Sequence, residues 1–403
     1  MNEATRKFIE EHRKEDVRAL ALQTVQDPSV DLPFALNQIK GWQTARKKIP
    51  SWAAADGILF PVHLSMEQCS GEQTAVYKQQ LCSRLLKNTG GQQETTLVDL
   101  TGGFGVDCSF MARCFSQSCY VERQQALCEL AENNFPLLQL DKVKVVCADA
   151  EDYLNMCPPV TMFFLDPARR DDHGGRTYAI TDCTPDVLAM KDMLLEKADY
   201  LLLKLSPMLD WHHTVQLLGD VLEVHIVSVD NECKELLVLL SKKFKKEMQL
   251  YCVDDGKVFC PTQNKAFNLQ KQSISSGDYA KWYYLYEPNA SVMNAGCFDA
   301  LSRCFSVAQI AANSHLFVSD KPIAEFPGRQ FEILEISTMN KKELRGFLSD
   351  FSQANLAVRN FPMSVAELRK RLHLKEGGEY YLFATTTHDR QHILLKTRKV
   401  RSL

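Results

Sequence analysis

The chain contains 14 cysteines but no Cys-x-x-Cys pair and no His/Cys cluster at zinc-ligand spacing, which excludes a zinc ribbon and a dithiol redox motif. Several thiols, among them Cys147, Cys233 and Cys252, lie inside apolar segments, as buried free thiols do. No apolar run reaches the ~18 residues that a membrane span requires. The N-terminus is charged from Glu3 to Lys14, which does not fit a secretory signal. The expectation is a cytoplasmic protein with reduced thiols and no membrane contact. There is no internal repeat and no low-complexity segment. His212-His213 has no cysteine or carboxylate at metal-ligand spacing, so no metal is expected.

At 403 residues, 45% of them hydrophobic and 24% charged, the chain is long enough for two or three domains. The net charge of −3 conceals an asymmetry. From Lys321 onward there are 15 Lys+Arg against 9 Asp+Glu, so the tail carries +6 and the rest −9. A basic tail on an acidic body fits a polyanionic partner, and it also fits a solvated surface.

Residues 1–66 read as a helical N-terminal domain. Asp31-Leu32-Pro33 is a helix opening, and Arg46-Lys47-Lys48 before Pro50 suits a helix end. Ser70 to Gln73 has the form of a capping box. From Leu97 short apolar runs alternate with helical segments: 97–100, 118–121, 143–147, 162–165, 200–205, 224–229 and 235–240. Seven strands in such alternation predict an α/β domain over 67–250, built on a Rossmann-like doubly wound sheet. After a polar linker, residues from 278 onward read as a separate α+β module. It opens with a β-α-β unit in which Trp282, Tyr283, Tyr284 and Tyr286 serve either the core or base stacking.

The segment Thr96 to Asp107 reads as strand, glycine turn and helix start, with Asp99 closing the strand and Gly103 and Gly105 around Phe104. Such a turn lets backbone approach a ligand at a helix N-terminus. Taken alone it is a weak signal. Glu122, Asp149 and Asp166 close the next three strands, so four acids converge on one crevice, as an adenosine-containing ligand would require. A dinucleotide fingerprint would place glycine at position 108, where Cys108 stands.

These residues resemble class I S-adenosylmethionine-dependent methyltransferases. More closely, the chain is similar to the bacterial methyltransferases that carry a C-terminal THUMP-like domain. The likeness runs from about residue 60 through Glu67–Ser70, Asp99–Asp107, Leu165–Arg170, Lys204–Asp210, Asn231–Leu236, Phe326–Arg329 and Arg359–Pro362. It implies a seven-stranded methyltransferase sheet, a ferredoxin-like segment at 278–323 and a THUMP-like domain at 326–398. It also implies S-adenosylmethionine as cofactor and RNA, tRNA included, as partner.

On the matching positions the resemblance implies that Gly103 and Gly105 cradle the methionine part of the cofactor, with Asp99 near its amino group and Thr101 in the same turn. Glu122 would take the ribose hydroxyls, and Asp149 and Ala150 the adenine edge. Gln68, Ser70 and Thr74 line the mouth in this reading, and capping alone also explains Ser70. Asp166-Pro167-Ala168-Arg169 resembles the Asp-Pro-Pro-aromatic motif of enzymes that methylate exocyclic amines of bases. Asp166, Pro167 and Arg169 are thereby the catalytic candidates. Ala168 and Arg169 depart from the motif, which leaves three acceptors open: a base, a protein or a small molecule. Two alternatives remain: an aminopropyl-transferring or nicotinamide-dependent enzyme on the same fold, and a non-catalytic RNA-binding protein that retains the cofactor pocket. Arg170, Lys204, Arg329 and Arg359 are the substrate-binding candidates, and for Lys204 a structural ion pair is the competing reading.

Overall fold

The computed structural model describes residues 1–22, 27–87, 94–169, 180–244, 246–262 and 279–400. The chain divides into two compact units, Met1–Val224 with Lys234–Met248 and His225–Cys233 with Gln249–Leu403.

The first unit opens with helices α1 (Glu3–His12), α2 (Val17–Ala21), α3 (Leu32–Lys48), α4 (Pro50–Ala54) and α5 (His63–Gln68). The Asp31 carboxylate accepts the Phe34 N–H at 3.1 Å and Pro33 occupies the first turn, so α3 starts where the sequence predicts. Its buried face includes Gly41, where a Cβ would come within 2.3 Å of the Phe60 side chain. Gln38 brackets the Phe60 backbone, donating to its carbonyl at 2.9 Å and accepting its N–H at 2.8 Å. Phe60 and Trp52 then pack on Phe104 of the glycine turn, with ring centroids 6.3 and 4.8 Å away. The N-terminal helices thus share one compact unit with the sheet.

Next come α6 (Glu72–Lys87), β1 (Thr96–Asp99), α7 (Val106–Met111), β2 (Gln117–Glu122), α8 (Gln125–Leu137), β3 (Val143–Cys147), α9 (Ala150–Met156) and β4 (Val160–Leu165). They are followed by the short β5 (Ala168–Arg169) and β6 (Cys183–Thr184), then α10 (Val187–Lys197), β7 (Ala198–Leu205), α11 (Trp211–Leu218), β8 (Val221–Val229) and β9 (Glu232–Leu240). The strand order is β3-β2-β1-β4-β7-β9-β8. Pairs from β3 to β7 are parallel, and β9 runs antiparallel to β7, Leu201 facing Leu240. Leu201–Leu203 and Leu236–Leu240 are buried without alternation, as strands covered on both faces must be. The order reverses between β1 and β4, which opens a crevice at their carboxyl ends.

In the second unit, β10 (Gln249–Asp254) and β11 (Lys257–Phe259) form an antiparallel hairpin. This hairpin raises the strand count of the main sheet from the seven expected to nine. A second sheet holds β12 (Tyr284–Pro288), β13 (Ala308–Gln309), β14 (Phe317–Ser319), β15 (Gly328–Thr338), β16 (Asn355–Arg359), β17 (Tyr380–Thr386) and β18 (His392–Lys399), in the order β13-β14-β12-β15-β18-β17-β16. The expected β-α-β unit is modified. A hairpin from β13 returns β14 antiparallel to β12, so the crossover ends on the two-residue β13. Alternate residues of β17 and β18 feed two cores. Phe383 and Leu395 join Trp282, Leu285 and Phe331, while Leu382 and Leu394 join Phe347 and Leu368. Trp282 and Tyr286 are buried and Tyr283 is exposed.

Candidate active site

The turn after β1 is tied to both neighbouring strands. Leu100 N–H donates to the Phe164 carbonyl at 3.0 Å and Gly102 N–H to that of Val121 at 2.9 Å. Gly102 lies against the Tyr120 ring, where a Cβ would sit 2.2 Å from the nearest ring atom. The Tyr120 hydroxyl donates to the Gly103 carbonyl at 2.5 Å. Gly105 is the N-cap of α7 at φ 87°, a left-handed conformation that disfavours any side chain. The chain therefore turns tightly enough to aim α7 at the crevice.

The four acids take different positions around this turn. Asp99 is 1% exposed and accepts the Thr101 N–H at 3.0 Å, with no cation in salt-bridge reach among the described residues. Burial pushes its pKa well up, Thr101 opposes, and the charges of Asp107 and Asp166 add to the rise. Glu122 accepts backbone N–H groups on both oxygens, from Gly103 and Gln124, each at 2.9 Å. Asp149 is the N-cap of α9, accepting the Glu151 N–H at 3.0 Å, with Ala150 buried behind it. Ala148 N–H donates to the Glu122 carbonyl at 3.1 Å, so these two acids stand on adjacent strand ends. Asp166 N–H donates to Thr101 Oγ1 at 2.6 Å, which joins the ends of β1 and β4.

Behind Asp166 lies a charge cluster. Lys204 Nζ is 2.5 Å from Asp166 Oδ2 and 3.2 Å from Asp107 Oδ2. Asp107 also receives the Ser70 hydroxyl at 2.7 Å and lies 3.1 Å from Lys78 Nζ. Lys78 in turn contacts Glu235 at 2.5 and 2.7 Å. Burial would raise the Asp107 pKa, but Lys204, Lys78 and Ser70 hold it at about 2. Burial lowers the Lys204 pKa, and Asp107, Asp166 and Glu235 outweigh it, so the group stays an ammonium well past its ordinary range. Burial raises the Glu235 pKa and Lys78 restrains the rise.

The structure gathers Asp99, Thr101, Gly103, Gly105, Glu122, Asp166 and Lys204 at the carboxyl ends of β1, β2, β4 and β7, with Asp149 and Ala150 after β3. Pro167 is buried. The Arg169 backbone pairs with Cys183 in the β5–β6 ladder. The Arg169 side chain and Arg170 lie outside the described residues. Sequence reasoning missed Lys78 and Glu235 as site residues and gave Asp107 no role of its own. The available signal was Lys78 falling on the apolar face of α6, with Thr74, Ala75, Leu81, Cys82 and Leu85.

Arg329 and Arg359 lie in the second unit and converge on one buried carboxylate. Arg329 Nε donates to Glu287 Oε2 at 2.7 Å and Arg359 to Oε1 at 2.6 Å. Both guanidinium groups stay partly exposed, and the trio keeps one net positive charge. Arg369 donates to the Ala354 carbonyl at 3.2 Å. Among the described residues no group of His, Cys, Asp and Glu is placed to hold a metal, and no helix is long and apolar enough to cross a membrane.

Residues 284–327 match a ferredoxin-like domain family and 328–399 a THUMP domain-like family. No curated protein matches the chain by sequence. A SAM-dependent methyltransferase from Agrobacterium tumefaciens aligns over 42% of this chain and 62% of its own, with 15% identity and TM-score 0.32. An O-methyltransferase from Bacillus cereus in complex with SAH aligns over 58% and 100%, with 13% identity and TM-score 0.34. These scores are too low to bear on function. A candidate methyltransferase from Porphyromonas gingivalis W83, known from its crystal structure, aligns with TM-score 0.83 and 30% identity, over 99% of this chain and 98% of that one. With likeness of that extent, the chain belongs to the family of S-adenosylmethionine-dependent methyltransferases that carry a ferredoxin-like and a THUMP-like domain at their C-terminal end.

Proposed function

We propose that this enzyme methylates RNA, tRNA included, with the crevice at β1 and β4 carrying the chemistry and the C-terminal module holding the nucleic acid. The observation that carries the cofactor half is Asp99, a buried carboxyl with no cation in salt-bridge reach among the described residues. An amino acid ammonium placed there would relieve it, so the residues fit the family's cofactor. Glu122 has lone pairs left for a ribose diol after accepting its two backbone N–H groups. Asp149 and Ala150 face the adenine edge in this reading. When bound, S-adenosylmethionine supplies a methyl group already activated by positive sulfur, so orientation does most of the work. Asp166 and Pro167 then position the acceptor beside Lys204.

Arg329 and Arg359 support the RNA half. Their shared partner Glu287 fixes both guanidinium groups while leaving donors for phosphate. Phosphate contacts of this kind supply affinity without reading sequence. The test is nucleoside mass spectrometry of RNA from cells lacking the gene, paired with methyl transfer to that RNA by purified enzyme. Loss of one methylated nucleoside, restored in vitro, is the expected result. No transfer to any RNA fraction would reject RNA as substrate and leave a protein or small molecule.

A further inference from the structure

The Asp166–Lys204 pair does not suit the acceptor that the Asp-Pro motif resembles. An exocyclic amine needs acceptors for its hydrogens, and it gains positive charge as it attacks a methyl sulfonium. Here one oxygen of Asp166 is already taken by an ammonium at 2.5 Å, which would face that growing charge. A hydroxyl acceptor reverses the electrostatics. It must lose a proton, and negative charge builds on its oxygen, which a fixed ammonium stabilises. Lys204 is fixed: Asp107 holds it from behind at 3.2 Å, and Asp107 is itself held by Ser70 and Lys78. The side chain of Asp166 is 38% exposed, and its Oδ1 has no partner among the described residues.

We infer that the acceptor atom is a ribose hydroxyl oxygen, that Asp166 takes its proton, and that Lys204 is a catalytic residue stabilising the negative charge on it. This rests on the RNA reading above. The oxygen lone pair forms the new carbon–oxygen bond while the carbon–sulfur bond breaks and its electron pair stays with sulfur. The hydroxyl proton passes to Asp166 Oδ1 and then to water. Lys204 cannot be the base, because its three carboxylate neighbours keep it protonated.

The first test labels RNA from cells lacking the gene with methyl-labelled S-adenosylmethionine and digests it with alkali. A 2′-O-methyl group blocks the neighbouring phosphodiester from cleavage, so label is expected in alkali-resistant dinucleotides. Label in mononucleotides carrying a methylated base would overturn this inference and leave the RNA reading intact. No label in RNA would overturn both. The second test needs no cofactor. Cofactor-free protein is titrated with a short oligoribonucleotide and its 2′-fluoro analogue, which keeps the sugar shape but cannot donate. A several-fold preference for the hydroxyl form is expected, and Asp166→Asn should abolish it without weakening the fluoro form. Equal affinity of wild-type protein for both would count against the inference. Lys204→Met should lower turnover by about 10²–10³-fold with unchanged cofactor affinity, and Lys204→Arg should recover part of it. Full turnover in Lys204→Met would remove Lys204 from the chemistry, and if that variant does not fold, the first two tests still decide.

Discussion

Replacing Lys78 by methionine removes one positive charge from a cluster with no solvent to compensate it. Lys78 is fully buried, and its partners Glu235 and Asp107 are nearly so. Breaking a buried pair by deleting one partner costs about 3–5 kcal/mol. For a domain of this size each kcal/mol lowers Tm by about 2–4 °C, so a fall of roughly 6–20 °C is expected by differential scanning calorimetry at pH 7. Glu235 limits the loss by taking up a proton, because burial already raises its pKa and Lys78 is what restrains it. A carboxyl whose folded pKa is raised contributes full stability below its unfolded value and loses it as pH rises. The Lys78→Met deficit should therefore shrink on acidification from pH 7 towards about 4.5, the ordinary Glu value. Combining it with Glu235→Gln should cost less than the two single changes summed, by about 1 kcal/mol or more. A Tm within 2 °C of wild type, or strict additivity, would refute a coupled buried pair.

Cofactor binding should release a proton, because Asp99 is pushed well above 3.8 in the free protein and an ammonium partner brings it down. Titration calorimetry in buffers of different ionisation enthalpy measures this, and Asp99→Asn should abolish it; identical release in the variant would assign the proton elsewhere. Asp107, held at about 2 against an ordinary 3.8, contributes stability that is complete above pH 4 and lost as pH falls towards 2. Acid unfolding of Asp107→Asn should accordingly be flatter across that window than that of wild type. Gly102→Ala would drive a methyl into the Tyr120 ring, costing about 1–3 kcal/mol by overpacking and weakening cofactor binding, read by urea melts and calorimetry. Changing Arg329 and Arg359 singly to alanine should weaken RNA binding and lower its salt slope by about 0.7–0.9 for each phosphate no longer neutralised; unchanged slopes would remove these arginines from the interface.

The strands and their closing acids were legible because parallel strands declare themselves as apolar runs, and an acid after each run is a local pattern. The turn at Gly103 and Gly105 was legible for the same reason. Lys78 and Glu235 were not, since they lie 157 residues apart and meet only when α6 and β9 come together. A lone lysine on an apolar helix face carries no sign of its partner. Lys204 was legible as a substrate-binding residue or a structural ion pair, but not the partners that hold it. Arg329 and Arg359 are substrate-binding candidates in the sequence, and nothing local to them shows the buried Glu287 between them. The packing of Trp52 and Phe60 on Phe104 was equally hidden, since aromatic contacts between segments distant in sequence leave no periodic trace.

The Lys78–Glu235 contact also imposes an order on biosynthesis. At about 5–20 residues per second, the ribosome makes Glu235 roughly 8–30 s after Lys78. Until β9 inserts beside β7, Lys78 has Asp107 but not Glu235 as a charge partner, and β7 lacks its antiparallel neighbour. A nascent chain released or cleaved after Val224 would thus carry every glycine and acid of the turn after β1 without the buried Lys78–Glu235 pair. The capacity to methylate arrives late in translation, as a property of the finished sheet.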